Sequence, residues 1–342
     1  MTRAVSFGRA ASGVSGWLLG ARFDAGFLLG IPTLAILSSA LALADRRFLL
    51  PVLIADLWLL GHRHVVESLG DLRARHAQSP RSRVLVAGLP LLLVAIIGGI
   101  ALGGAAWVPA TVYFYWQWFQ STRQSWAAMQ LYRRRAPRGA DLGDRSLLAA
   151  LFCLTPIWGL LSRSAEAPVS FLGLDLHLMS VPETFARAVG IAACGALCLW
   201  TVERAIAWSE HRLPLGHTLY VLSHLVVFAV AYGAIADITV GWLVAAIWSH
   251  AQSLALAWLR HGQGAASASG PRARWLAGLV ARRQLGLYSI VALASAAAAL
   301  FGASALAIAL PAAAFLYLAL DLQRFLSDLG PRRAAAAQSS TA

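Results

Sequence analysis

Residues 48–69 read "FLLPVLIADLWLLGHRHVVESL". The segment begins as an apolar stretch of membrane length, since about 20 residues cross the hydrocarbon core as a helix. Its last two turns then carry His62, Arg63, His64 and Glu67. A charge at the bilayer centre costs at least ~2.5–3.5 kcal/mol on insertion scales, so such residues normally face the protein interior and have partners there. The stretch therefore predicts a membrane-spanning helix and a buried polar site on it.

The composition points to the same class of protein. Of the 342 residues, 59% are hydrophobic and 13% are charged, which is typical of polytopic membrane proteins. The net charge is +13 and every basic residue counted in it is Arg. Because these Arg residues cluster between apolar segments, we interpret the charge as membrane topology rather than nucleic-acid binding. The absence of Lys excludes a retinal or pyridoxal Schiff base.

Ten apolar segments are long enough to be transmembrane helices. They are approximately 24–44, 48–69, 83–103, 107–131, 145–162, 183–205, 215–235, 239–260, 285–301 and 303–323. We therefore expect an all-α fold, a polytopic helix bundle formed by residues 1–323. Residues 324–342 are expected to form a cytoplasmic and partly disordered tail.

The distribution of Arg predicts the orientation. With the N-terminus inside, 22 of the 28 Arg residues lie on the cytoplasmic side. The opposite side keeps Arg46, Arg47, Arg163 and Arg187. This asymmetry predicts both termini in the cytoplasm and an integral protein of the inner membrane of a bacterium. The external segment 163–182, with alternating apolar residues and two prolines, is expected to lie on the interface or to cap the bundle.

Polar residues of four predicted spans fall at similar depth. Counted at 1.5 Å per residue, one group lies within roughly two turns of the midplane: His64, Gln120, Arg123, Gln124, His224 and His250. This depth predicts one shared site. His217 and His261 lie nearer the cytoplasmic surface, where we expect them to reach the headgroups.

The spacing of the histidines indicates a metal site. His64 and Glu67 are three residues apart and share a helix face, which suits a carboxylate and a histidine on one metal ion, although Glu67 could equally pair with Arg63. His62 lies about 200° from His64 around the helix. The two can bind one metal ion only if Gly61 lets the helix unwind locally. Three histidines on three helices, with Glu67 or Asp56 as the carboxylate, favour a metal over three unrelated hydrogen bonds.

The fourth predicted span carries a polar stripe. Gln117, Gln120, Ser121 and Gln124 follow the i, i+3, i+4, i+7 pattern of one helix face, with Arg123 beside it. Such a stripe is expected to line a cavity. The aromatic residues around it would suit a lipophilic small molecule.

Two stretches resemble a known family. Residues 118–134, "WFQSTRQSWAAMQLYRR", are similar to the "WxHYxRQxYGxxxLYRR" segment of a bacterial family of polytopic membrane proteins, loosely grouped with carotenoid-cleaving membrane oxygenases. Residues 247–258, "IWSHAQSLALAW", resemble its "xxHNxQYxxxxW" helix, and "GHRHVVESLGDL" at 61–72 is similar to its His-containing second helix. The resemblance implies that the site includes Gln120, Arg123, Gln124, His250 and Gln252.

The chain departs from this pattern at six positions. The family has His, Tyr, Tyr, Gly, Asn and Tyr where this chain has Gln120, Ser121, Trp126, Ala127, Ala251 and Ser253. One expected metal ligand is therefore missing. The chain would bind metal with fewer histidines, use Gln120 as a weak ligand, or lack the activity.

These patterns favour a membrane-embedded metalloenzyme that oxidises a lipophilic substrate. Iron is preferred because mixed histidine and carboxylate ligands with open positions suit oxygen chemistry, with zinc and copper as alternatives. Arg123, Gln120 and Gln124 are the expected catalytic or orienting residues. A transporter or proton-conducting protein, a bis-His haem protein and an accessory subunit with an unidentified protein partner are the other hypotheses.

The orientation can be tested with reporter fusions. Reporters placed after Ser79, Arg138 and Gly270 are expected to lie in the cytoplasm because Arg-rich loops stay on that side. A reporter near Pro168 is expected on the opposite side. An external signal at Arg138 would contradict the predicted number of preceding helices.

Overall fold

The computed structural model describes residues 16–56, 60–61, 80–165 and 169–267, together with the isolated positions 314, 315, 318, 319, 322 and 325. This part of the chain is mostly helical. Its helices are α1 (Ala21–Ala44), α2 (Leu49–Asp56), α3 (Pro80–Ile100), α4 (Trp107–Arg135), α5 (Arg145–Ala165), α6 (Glu183–Ser209), α7 (Leu215–Ala234) and α8 (Ile238–Ser267). The predicted helical fold is confirmed for these residues.

Four of the described helices, α1, α5, α6 and α7, are long and apolar enough to cross a membrane. Large apolar side chains are exposed along α1, α3 and α6, for example Leu102 just after α3 and Ile191 on α6. Exposed apolar faces of this extent are expected where helices meet lipid. These observations support a membrane protein. The predicted spans 285–301 and 303–323 lie outside the described residues, except for a few isolated positions of the second.

Residue contacts divide the chain into two compact units. The first consists of Met1–Leu49, Gln120–Ala167 and Met179–Gln252, and the second of Leu50–Phe119, Pro168–Leu178 and Ser253–Ala342. The first part of α4 belongs to the second unit and the rest of α4 to the first. The first half of α8 belongs to the first unit and its second half to the second.

Helix α8 forms the centre of the first unit. Every residue from Ile238 to Gln252 is buried, as expected for a helix that is apolar on all sides. The Trp248 ring lies 5.6 Å from that of Phe27 on α1 and 6.0 Å from that of Tyr220 on α7. Trp248 therefore joins three helices.

Glycines allow α5 to approach its neighbours closely. A Cβ atom on Gly159 would meet the backbone of Tyr232 on α7 at 2.9 Å. A Cβ on Gly190 of α6 would meet the Trp158 indole at 2.5 Å. Small residues at such contacts let helix backbones pack tightly in a membrane, where apolar burial does not drive helices together.

A buried arginine closes one end of the first unit. Arg163, near the carboxyl end of α5, is 6% exposed. Its guanidinium donates to the backbone carbonyls of Tyr232, Gly233 and Ile235 at 3.3, 3.3 and 2.7 Å. These bonds satisfy carbonyl groups that the end of α7 leaves without helical partners. We call this the outer end of the unit, because the Arg distribution predicts it to be external.

We call the opposite end of the first unit the inner end. There, Asp141 in the α4–α5 connection links this connection to α6 and to the α6–α7 connection. Arg204 of α6 donates to the Asp141 backbone carbonyl at 2.6 Å and to its carboxylate at 3.1 Å. The Asp141 backbone N–H donates to the carbonyl of Arg212 in the α6–α7 connection at 2.9 Å. The two inner loops predicted to share the cytoplasmic side therefore lie together.

In the second unit, a β-hairpin packs against the first half of α4. Strands β1 (Val169–Phe171) and β2 (Leu174–Leu176) are antiparallel, and the turn between them has positive φ at Leu172 and Gly173. The Phe171 ring lies 6.0 Å from that of Tyr113 and 5.8 Å from that of Phe114. The hairpin thus covers the first half of α4, in agreement with the expectation that 163–182 includes a capping segment.

The close contact at Gly159 gives a matched pair of substitutions. Gly159→Ala is expected to destabilise the protein by about 1–3 kcal/mol because the Tyr232 backbone cannot move aside easily. Gly195→Ala on α6 has open space around the added Cβ and is expected to leave stability unchanged or raise it by up to about 1 kcal/mol. Unfolding midpoints in detergent measure both. Equal effects of the two substitutions would show that α5 and α7 do not pack closely at Gly159.

Candidate functional site

The predicted site residues fall into three groups. His62, His64 and Glu67 lie outside the described residues. Asp56 belongs to the second unit and is 4% exposed. The first unit contains Gln120, Arg123, Gln124, His224 and His250.

The polar face of α4 packs on α8 within the first unit. Gln124 Nε2 donates to the backbone carbonyl of Ser249 at 2.6 Å. Ser125 and Gln252 exchange hydrogen bonds at 3.1 and 3.3 Å, and both side chains are buried. Gln124 and Gln252 therefore connect α4 and α8, whereas the stripe pattern had predicted that Gln124 lines a cavity.

Sequence reasoning missed Ser125. It lies outside the i, i+3, i+4, i+7 series that defined the stripe, and its hydroxyl nevertheless binds the Gln252 amide. Its position four residues after Ser121 was the available signal. Ser121 itself is 2% exposed and its hydroxyl has no hydrogen-bond partner among the described residues.

His224 lies in an aromatic setting at the middle of α7. The imidazole is fully buried and stacks on Phe152 of α5, with ring centroids 4.0 Å apart and planes inclined by 9°. Phe228 lies at 4.4 Å. Neither ring nitrogen has a hydrogen bond of good geometry within the described part of the chain, and the Phe152 backbone interacts with the ring more weakly. The ring is thus held mainly by its stack on Phe152.

The neighbouring residue Ser223 does not form a hydrogen bond with the His224 ring. Ser223 donates to the carbonyl of Leu28 on α1 at 2.6 Å and to that of Leu219 at 2.7 Å. A buried polar group without a partner costs about 1–3 kcal/mol. His224 is therefore a good candidate for contact with a ligand.

His250 is 7% exposed and lies on α8. It follows Trp248 by two residues, so the two side chains point about 200° apart around the helix. Trp248 faces Tyr220, which lies one turn before His224 on α7. The face of α8 that meets this part of α7 is therefore not the face that carries His250. Joint ligation of one ion by His224 and His250 remains a prediction that these helix faces do not favour.

The expectation for His217 is wrong. His217 is 1% exposed, although its place near the start of α7 predicted a side chain that reaches the headgroups. Arg133 at the end of α4 and Arg204 of α6 lie close enough for their charges to act on its ring. The side chain of His261 lies outside the described residues.

Within the described ranges, no group of three or more His, Cys, Asp or Glu side chains is arranged to hold a metal ion. Half of the six proposed ligands lie outside these ranges. The metal site therefore stays a hypothesis based on the sequence.

Comparisons of the chain with protein-family models, with curated proteins and with solved structures found no match. The resemblance of residues 118–134 and 247–258 to a membrane-protein family thus remains an expectation from the sequence.

The buried Ser125–Gln252 pair can be tested with a double-mutant cycle. Ser125→Ala is expected to destabilise by about 1–2 kcal/mol because it leaves the Gln252 amide without this partner. Combining it with Gln252→Leu should cost less than the sum of the two single changes, with a coupling of about 1 kcal/mol. Unfolding midpoints in detergent provide the measurement. Strict additivity would show that the two side chains do not interact.

Proposed function

We propose that the protein is an integral membrane metalloenzyme of the bacterial inner membrane, a non-haem iron oxygenase or oxidoreductase that acts on a lipophilic substrate. The proposal includes a bundle of about ten transmembrane helices with both termini in the cytoplasm. The substrate would reach the site from the bilayer, and dioxygen would be the oxidant. The described apolar helices support the membrane setting.

The proposed ligands are His64, His224 and His250, with Glu67 or Asp56 as the carboxylate, although the helix faces described above do not favour joint ligation by His224 and His250. His62 would join them if the helix unwinds before it. Leu60 and Gly61 lie in a wide helical turn, which is a departure from regular α-helix.

Arg123, Gln120 and Gln124 would act beside the metal. Arg123 would interact with an anionic group of the substrate or of a ligand, and Gln120 stands where the similar family has a histidine. Gln124 would act indirectly, since its amide fixes the backbone of α8 at Ser249, next to His250. Such support of a ligand-bearing helix is what metal sites require of the residues around their ligands.

The observation that carries the proposal is the state of His224. Its imidazole is fully buried, and it has no hydrogen bond of good geometry among the described residues. A neutral imidazole nitrogen is a good ligand for iron, zinc and copper. Iron is preferred because histidine and carboxylate ligands with open positions suit oxygen chemistry. Zinc, copper and haem are the alternatives for the same histidines.

A transporter or ion-conducting protein is the second candidate function. A wide helical turn interrupts α1 at Gly26–Gly30, and another forms the end of α7 at Ala229–Ala234. Such turns occur frequently at functional sites, and interrupted helices build the binding sites of many transporters. These wide turns favour a transporter over an accessory subunit.

Metal analysis of the purified protein tests the main proposal. We expect the wild type to carry about one equivalent of iron after gentle extraction, and His250→Ala and His224→Phe to lose it while still inserting into the membrane, because each lost ligand removes a bond that outer residues cannot replace. Phe at 224 keeps the stack on Phe152 and removes only the nitrogens. An optical spectrum of the wild type distinguishes haem from non-haem iron.

The matched control is His177→Ala. His177 is exposed in the second unit, next to Trp107, and its loss should leave the metal content unchanged. A wild type without metal or haem would favour the transporter. Full metal content in His224→Phe would remove His224 from the ligand set.

A further inference from the structure

Buried polar atoms without described partners, most of them hydrogen-bond donors, lie at the inner end of the first unit. Each of the following atoms is buried and has no hydrogen-bond partner among the described residues: Gln130 Nε2, Arg133 Nη1, Arg204 Nε, both ring nitrogens of His217, and Thr218 Oγ1. Arg204 is 6% exposed and His217 is 1% exposed. These groups belong to α4, α6 and α7 and play no part in the proposed metal site.

Several contacts bring these three helices together. The rings of Tyr132 and Tyr220 stack with centroids 5.1 Å apart, which places the end of α4 beside the first turns of α7. Arg204 is fixed by its bonds to Asp141. His217 lies close enough to both Arg133 and Arg204 to feel their charges. Arg133, Arg204 and His217 therefore lie near one another, and Gln130 and Thr218 lie on the same segments of α4 and α7.

The nearby carboxylates are already engaged. Asp141 and Glu203 interact with the terminal nitrogens of Arg204, which leaves Nε of that guanidinium without a partner. The N–H of Gly143, aided by Arg204 and Arg212, lowers the pKa of the Asp141 carboxyl, so Asp141 is an anion fixed in this link.

Asp24 is likewise occupied. Its carboxylate is buried near Tyr132 and accepts hydrogen bonds from the backbone N–H groups of Leu18 and Leu19 at 2.5 and 3.3 Å. The unused donors on Arg133 and His217 are thus not explained by an acid of the described chain.

The start of α7 adds to the positive character of this region. The helix follows Pro214 and has no side chain that caps its first N–H groups. Uncapped N–H groups and the helix dipole attract anions at a helix N-terminus. His217 lies in this first turn, next to the arginines.

The chemistry of the donors identifies the kind of ligand. Two guanidinium groups, an amide, an imidazole and a hydroxyl offer many donors from three directions. A phosphate group carries charge and several oxygen acceptors in a tetrahedral arrangement, and Arg together with helix N-termini are its usual partners. A planar carboxylate would satisfy fewer of these donors.

We propose that Arg133, Arg204 and His217, with Gln130 and the first turn of α7, bind a phosphate group. The site lies at the end of helices that are long and apolar enough to cross a membrane. The phosphate would belong to a phospholipid headgroup or to a free phosphate compound on the side of the membrane that the inner end faces.

The test uses the full-length protein purified in a maltoside detergent, which contains no phosphate. The thermal unfolding midpoint is measured in a titration with inorganic phosphate, with chloride at equal ionic strength as the reference. A second titration adds phosphatidic acid to the micelles, with diacylglycerol as the lipid that lacks only the phosphate. We expect the midpoint to rise with inorganic phosphate, with phosphatidic acid, or with both.

Arg133→Gln is expected to weaken the effective ligand about tenfold or more, since it removes a charge-assisted hydrogen bond. The matched control is Arg134→Gln, which removes the same charge from the exposed neighbouring position and should bind as the wild type does. His217→Gln provides a second variant that leaves the Arg charges in place, and it should also bind more weakly.

The outcomes separate the sources and decide the proposal. A response to phosphatidic acid alone identifies a headgroup site, and a response to inorganic phosphate identifies a site open to soluble compounds. No response to either ligand, or equal losses in Arg133→Gln and Arg134→Gln, would overturn the proposal. None of these measurements depends on the metal content of the protein.

Discussion

The hydrocarbon core of a bilayer contains no water, so every polar group placed there needs a partner within the protein. In the first unit, α8 meets this constraint through α4, because Gln124 bonds the Ser249 carbonyl and Ser125 pairs with Gln252. Among the buried polar atoms that remain without described partners, two groups contain histidine. One is the His224 ring and the other surrounds His217, and these are the two places where we propose ligands.

The sequence predicted helices well because apolar length is a local property. The expected segment 145–162 corresponds to α5 at Arg145–Ala165, and 183–205 to α6 at Glu183–Ser209. The sequence did not predict the burial of His217, since distance along a helix gives depth but not what packs over it. One neighbour of His217 is Arg204, which Asp141 holds through a contact between residues far apart in the chain.

His224 and His250 show the same limit at the candidate site. Each follows a serine near the middle of an apolar helix, so sequence context treats them alike. In the structure, Ser223 binds α1 whereas the backbone of Ser249 accepts from α4. Helical spacing predicted which residues share a face, but not which neighbour each face meets. The side chains of His62, His64 and Glu67 remain beyond what the structure describes.

The buried guanidinium of Arg163 has a consequence for how the chain is assembled. In the proposed topology, α5 leaves the ribosome before α7, so its arginine would enter the membrane before the carbonyls of Tyr232, Gly233 and Ile235 that it binds. Until α7 arrives, this charge must stay at the aqueous surface, because an unpaired cation in hydrocarbon is costly. Completion of α7 is therefore the step that lets the end of α5 settle, and insertion and packing of these two helices are coupled.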